Sequence, residues 1–290
     1  MSGQRLPDFV IIGAMKAATS TLHRQLSAQP GIFMTEPKEP NFFSDAEQWS
    51  QGMGWYRNLF AAAPEQALCG EASTHYTKLP DYPDALPRLR AAIPSARLIY
   101  IMRHPIDRLI SHYRHGWLEH SIDGPIDEAI DQHPELVDYG CYAMQITPWL
   151  DAFGREHILP VFMERMIAGP QDELERICRF LGYDGRPDWQ EDIAPQNMSS
   201  ERLRDSAWRD RFVYNPFLTR LRRTLVPLAV RSRIKRLWQM TEVPVIGASR
   251  FARITANFDE DLAKLGEMLG TRLDCANFQA MVRERPLDWA

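Results

Sequence analysis

Apolar residues in this chain fall either in short unbroken runs or in spaced stripes, and the two patterns predict different elements. Phe9-Val10-Ile11-Ile12 is a run without polar interruption, the signature of a strand buried on both faces. Gly13 and a series of small residues follow; Leu22 and Leu26, four apart, then predict a helix over 19–29, ended by Pro30-Gly31. The order repeats further on. Leu98-Ile99-Tyr100-Ile101-Met102 is a second interior-type run, and beyond it Ile106, Leu109, Ile110, Tyr113 and Trp117 form one helical stripe. Pro105 suits the first turn of that helix. Ile146, Trp149, Leu150 and Phe153 predict another helix, with Met144 and Trp149 expected in the core. It leads into Ile158-Leu159-Pro160-Val161-Phe162, where the proline predicts an edge or short strand. Leu174, Ile177, Cys178 and Leu181 share one face of a helix starting near Gln171, and Gly182 stops it. Strands alternating with helices predict an α/β fold around a mostly parallel sheet covered on both faces.

The last third has another character. Ile254, Phe258, Leu262, Leu265 and Leu269 predict a packing helix. Before it, residues 201–240 carry eleven Arg and Lys against three acids, mixed with Trp208, Phe212, Tyr214, Phe217 and Trp238. Three readings fit that segment: a solvated arginine-rich helical layer, a basic lid over an anionic ligand, or a membrane-surface helix. The expected organisation is one domain over 1–290, with an α/β core over 8–200 and helical, basic elements over 201–290.

Composition narrows the function classes. A chain of 290 residues, 44% hydrophobic, has ample material for a core and is no disordered or disulfide-stapled scaffold. Its net charge of −4 gives no general case for nucleic acid as a partner. No apolar stretch approaches the roughly 20 residues of a spanning helix, so stable membrane insertion is not expected. The polar start lacks a signal-peptide core. Cys69, Cys141, Cys178 and Cys275 show neither CxxC pairing nor metal-ligand spacing, and read as small buried hydrophobes in a reducing, cytoplasmic setting. His104, His112, His115 and His120 read as surface or helix-face residues rather than ligands.

Chemistry concentrates at two strand-to-helix turns. The first, Gly13-Ala14-Met15-Lys16-Ala17-Ala18-Thr19-Ser20-Thr21, sets an ammonium and three hydroxyls among residues small enough for close backbone approach. Such a turn, opening onto a helix N-terminus, makes an anion cradle; the plainer alternative is a tight turn with an N-capping Thr. It is no Walker A loop, because Lys16 sits only three residues after Gly13 and precedes Ala17. At the second turn the strand ends in Arg103-His104, where a nucleoside triphosphatase would place a magnesium-holding carboxylate. A cation at that strand end faces an anion directly.

The pairing of GAMKAATSTL with RHPIDRLISHY resembles the two nucleotide-binding segments of the PAPS-dependent sulfotransferases, closest to the branch holding the heparan sulfate enzymes and bacterial relatives. The resemblance implies a P-loop NTPase-like three-layer fold and the donor 3′-phosphoadenosine 5′-phosphosulfate (PAPS, leaving PAP), with no metal. It assigns the 5′-phosphosulfate to Gly13 and to Lys16, Ala17, Ala18, Thr19, Ser20 and Thr21, and the 3′-phosphate to Arg103 and Ser111. Lys38-Glu39-Pro40-Asn41-Phe42-Phe43 is similar to the stretch carrying the family's catalytic base, which falls on Glu39. Gly70-Glu71-Ala72-Ser73-Thr74-His75-Tyr76 is similar to the acceptor-cleft stretch, but has Ala72 where the heparan enzymes have Lys. Lys38, Glu71 and His75 are the implied acceptor contacts, and His75 is the rival base. Gly140–Phe153, the strand and helix up to Gly182, and Asn197-Met198-Ser199 extend the likeness over about 8–200. The implied reaction is in-line sulfuryl transfer to an acceptor hydroxyl on a glycan, glycolipid or small molecule, with Lys16 stabilising the leaving phosphate. Two alternatives stay open: a magnesium-dependent nucleotide kinase or NTPase, and a catalytically inactive nucleotide-binding protein.

Overall fold

The computed structural model describes residues 5–193 and 243–290. The stretch Asn197-Met198-Ser199 and the basic segment over 201–240 lie outside the described residues. Five strands form one parallel sheet: β1 (Phe9–Gly13), β2 (Ile32–Met34), β3 (Leu68–Ala72), β4 (Arg97–Met102) and β5 (Ile158–Phe162), in the order β2-β3-β1-β4-β5. Ten helices lie between or after these strands up to Leu181: α1 (Thr19–Ser27), α2 (Ala46–Ser50), α3 (Gly52–Asn58), α4 (Ala85–Ala92), α5 (Pro105–Leu118), α6 (Ile126–Gln132), α7 (Glu135–Asp138), α8 (Tyr142–Phe153), α9 (Met163–Ala168) and α10 (Pro170–Leu181). Two more, α11 (Ala248–Met268) and α12 (Phe278–Glu284), close the chain. The three strands expected from unbroken apolar runs are β1, β4 and β5, in register at Ile11↔Ile99 and Ile99↔Leu159. Their residues are buried on both faces, apart from Arg97 at the start of β4, as a parallel sheet clothed in helices requires.

β2 and β3 carry no such signal. β2 has three residues, and β3 interrupts its apolar positions with Gly70 and Glu71. Each forms because a neighbour supplies the ladder: Met34 pairs with Gly70, and Ile11 with Ala72. Pro160 sits on an edge strand, as its missing N–H demands. The outer carbonyls of β5 are still used, since Arg176 donates to Pro160 O at 2.9 Å and Trp289 Nε1 to Ile158 O at 2.7 Å. Gly182, at φ 71°, ends α10 in the left-handed conformation that favours glycine.

α11 starts before the apolar repeat that predicts it and buries Ile254, Phe258, Leu262 and Leu265. Its Asp261 carboxylate accepts from the N–H groups of Ala143 and Met144, at 2.9 and 3.0 Å, which places an anion at the N-terminus of α8. Trp149 is core, but Met144 is 40% exposed and corrects the expectation of a shared apolar face. α8 turns Tyr142, Ile146, Trp149 and Phe153 inward, and Met144 falls off that buried face. Among the described residues no helix is long and apolar enough to cross a membrane. The four cysteines form no disulfide, and three of them are buried.

Candidate active site

Chain direction reverses across the sheet beside β1: the chain leaves β1 towards β2 on one side, and leaves β4 towards β5 on the other. A crevice opens outside the carboxyl ends of the strands at such a switch point. Here it is a cleft of about 1080 Å³, bordered by Lys16, Glu39, His75, Lys78, Arg103 and Ser111.

The β1–α1 turn is shaped by its backbone. Gly13 has φ 155°, and a Cβ there would run into Thr77 Oγ1, which donates to Ile12 O at 2.8 Å. Lys16 and Ala18 both take left-handed conformations, at φ 68° and 67°. They curl the main chain ahead of α1, whose N-cap is Ala18 and whose first turn receives no side-chain cap. Thr19 is therefore inside the helix rather than capping it, and the geometry is that of an anion-holding concavity. Ala18, Thr19, Ser20 and Thr21 border the cleft, whereas Ala17 is buried under the turn.

Arg103 follows β4 directly, and its Nη1 donates to Lys16 O at 3.4 Å, so the two turns touch. The Tyr142 hydroxyl clamps Arg103 by accepting from its N–H at 3.2 Å and donating to its carbonyl at 2.6 Å. Glu164 Oε1 accepts from the N–H of His104 at 2.8 Å and pins the next residue from beyond β5. Ser111 lies on the cleft side of α5. The fully buried Tyr142 thus supports the site from beneath without bordering it.

On the opposite wall, Glu39 stands at φ 62° with its N–H bonded to Ala72 O at 3.0 Å. Phe42 and Phe43 anchor this stretch, stacking on or against Tyr56 with ring centroids 4.7 and 5.0 Å away. Lys38 forms an ion pair with Glu39 Oε1, and Thr74 Oγ1 donates to Oε2 at 3.4 Å. Burial pushes the Glu39 carboxyl up, but Lys38, Lys78 and His75 together outweigh it, and the net direction is below the ordinary carboxylate value. Glu39 is therefore ionised at neutral pH. His75 stacks on Tyr82 with centroids 4.5 Å apart, and its buried Nδ1 has no partner among the described residues. Burial and then Lys78 push its imidazole down to about 4, so it is neutral in the working range.

Glu71 departs from its expected place among the acceptor contacts. Its side chain is fully buried and does not border the cleft. Tyr76 Oη donates to it at 2.8 Å and Ser73 Oγ at 3.5 Å, so its partners are hydroxyls beneath the site. β3 points that face into the core, which is why a carboxylate there turns inward. Burial pushes Glu71 up to about 7 despite these bonds. A raised carboxyl keeps its proton in the folded state while the unfolded chain loses it near pH 4.5. Stability is then fullest at low pH and falls as pH rises towards 7. Glu71→Gln, which removes the titration, should gain on the parent between pH 4.5 and 7 by about 1–3 kcal/mol in chemical denaturation. A constant difference across that range contradicts the assignment.

Three basic groups in or beneath the cleft carry no signal in local spacing. Lys78 ends the turn over Thr74–Thr77 and is only 6% exposed. Arg108 on α5 is fully buried and donates to Leu136 O. His112, one turn on, is buried rather than a surface residue, and packs 3.5 Å from Arg108 Nη1. Burial and then Arg108 hold its imidazole far below the ordinary value. Arg108 and His112, four apart, lie off the apolar stripe of α5, so the local pattern reads them as a solvent-facing pair. Among the described residues neither Lys78 nor Arg108 forms an ion pair, and no three His, Cys, Asp or Glu side chains converge as a metal site.

Known proteins resemble this chain in sequence and in fold. Human heparan sulfate glucosamine 3-O-sulfotransferase 6 is 29% identical over 197 residues, covering 62% of this chain and 53% of that protein. The mouse enzyme 3A1 is 30% identical over 189 residues, covering 62% and 46%. The chain spans about half the length of the curated relatives it matches. Among solved structures, a sulfotransferase from Alicyclobacillus acidocaldarius shares the fold with a TM-score of 0.64 at 24% identity, over 93% of this chain and 98% of its own. Mouse sulfotransferase SULT7A1 complexed with PAP has a TM-score of 0.50 at 16% identity, over 90% and 84%. The family model described as "Sulfotransferase domain" matches residues 6–215. That span takes in the five described strands and both strand-end turns, and the chain belongs to the sulfotransferase family.

Proposed function

We propose that the chain transfers a sulfuryl group from PAPS, the donor its family uses, to a hydroxyl on a glycan, glycolipid or small molecule. The observation that carries this reading is the contact between the two strand-end turns. With Arg103 Nη1 on Lys16 O at 3.4 Å, two separate anion sites open into one cleft whose far wall bears an ionised carboxylate. The donor set suits a nucleotide with two phosphate positions: curled backbone and Lys16 at one turn, guanidinium and the Ser111 hydroxyl at the other. PAPS supplies an activated sulfuryl group at its 5′-phosphate when bound. Lys16 faces that phosphate and stabilises the charge it gains. Arg103 and Ser111 hold the 3′-phosphate, which fixes the reach of the donor across the cleft. Glu39 takes the acceptor proton at a carboxylate oxygen, while His75, beside Lys78, would have to become a second cation to do so.

The heparan sulfate acceptors named for the curated relatives are not carried over, since Ala72 lacks the cation of those enzymes. A single domain over 1–290 is part of the reading. Its support is the packing of Leu262, Leu265, Phe278 and Val282 into the same apolar core as the sheet. A cytoplasmic place of action is proposed on the strength of the unpaired thiols.

Calorimetric titration with PAP in the presence of a chelator tests the donor. Arg103→Ala should weaken PAP about 10- to 100-fold, the worth of a charge-assisted contact to phosphate. Binding that appears only with magnesium and ATP contradicts the proposal and favours a kinase-like reaction.

A further inference from the structure

Lys78 is a nearly buried charge on the cleft wall that this mechanism leaves without a task. Its side chain is 94% removed from solvent by the 6% exposure above, yet the ammonium borders the cleft. Among the described residues it makes no hydrogen bond and no ion pair. Its nearest support is two aromatic faces, with Nζ 5.5 Å from the Tyr139 ring centroid and 6.0 Å from that of Tyr82. These rings orient the cation without neutralising it. Tyr139 is itself fixed by donating its hydroxyl to Asp81, so the seat is built on a second hydrogen bond. Holding an ammonium so nearly buried beside aromatic faces alone is costly, and an anion entering the cleft offsets that cost.

Two charges that define the reaction act on Lys78 from within the cleft. Glu39 attracts it and Lys16 repels it, with Arg108 repelling it more strongly from the core. In the proposed mechanism Glu39 stands at the acceptor oxygen and Lys16 at the leaving phosphate. Lys78 lines the same cleft as both of them. We infer that Lys78 is a further catalytic residue, which binds the non-bridging oxygens of the sulfuryl group as it passes from donor to acceptor. This rests on the donor reading above. As the acceptor oxygen bonds to sulfur, the bond from sulfur to the phosphate oxygen breaks and its electron pair stays on that oxygen, opposite Lys16. The acceptor proton goes to Glu39. The three outer sulfuryl oxygens carry negative charge throughout, and Lys78 is a cation on the cleft wall to meet them. An anionic group on the acceptor is a poorer fit, because Glu39 and Asp81 are the acids that already bear on this ammonium.

PAP and PAPS differ by the sulfuryl group, so their separate titration isolates this contact in the absence of acceptor. Lys78→Met should weaken PAPS roughly tenfold or more while leaving PAP within about twofold, and Lys78→Arg should restore much of the preference. In turnover the same variant should lose kcat with the acceptor KM little changed. Equal weakening of PAP and PAPS, with a lower melting temperature, would show a structural role and overturn the inference. Unchanged PAPS affinity with a raised acceptor KM would overturn it too, and would hand the ammonium to the acceptor. Failure of the parent protein to bind PAP is a different result, which removes the donor reading and this inference with it.

Discussion

Glu39→Gln is expected to lower kcat by about 10²- to 10⁴-fold, the contribution of a positioned general base, while PAP affinity and melting temperature stay close to the parent. The separation follows from where Glu39 sits. Its backbone is held by Ala72 O and the following Phe42 and Phe43, so an amide of the same shape keeps the stretch in place. The amide loses the ion pair to Lys38 and cannot take a proton. The pH profile is a second measurement. Because Lys38, Lys78 and His75 hold Glu39 below its ordinary value, the base stays ionised through mildly acidic pH. The acid limb of kcat/KM should therefore lie below the usual carboxylate range, and it should vanish in the Gln variant. If Glu39→Gln keeps parental turnover, the base is another group, and His75→Asn becomes the decisive substitution.

Lys16→Ala should cost a further 10²- to 10³-fold in turnover, comparable to removing a preorganised group that stabilises developing negative charge. The backbone role of residue 16 survives this change, since the bond from Arg103 goes to its carbonyl and alanine meets the same positive φ. What disappears is a charge aimed at the leaving phosphate. The effect should fall on kcat more than on PAP affinity, because part of the phosphate grip comes from main-chain donors that the substitution leaves intact. Steady-state kinetics at saturating donor, beside a thermal melt, make the comparison. A loss confined to donor binding would place Lys16 in ground-state recognition alone.

Residues on both walls of the cleft differ in how far local spacing exposed them. Gly13, Lys16 and Arg103 stand at the ends of apolar runs, and a run followed by a turn announces both a strand and the place where its ligand-facing end opens. Glu39 and His75 came into view only through likeness to a family, since each lies in a loop whose shape local pattern does not describe. Lys78, Arg108 and His112 were beyond either route. A lone lysine after a short turn has no period, and a basic pair on a buried helix face looks like surface until the partner elements are known. Glu71 reads as a contact residue for the same reason: the face of β3 that it occupies depends on pairing with β1 and β2, whose register no local spacing states.

By itself the sequence determined the three strands with unbroken apolar runs, the helix after each strand-end turn, the edge-or-short character of β5 and the stop at Gly182, because each depends on interactions within a few residues. Only the tertiary structure decided that β2 and β3 extend the sheet, that Glu71 turns inward, and that Lys78 faces the cleft between two tyrosine rings. These depend on which side of a strand or helix meets a neighbour far along the chain, and burial of a charge is a property of the assembled walls around it.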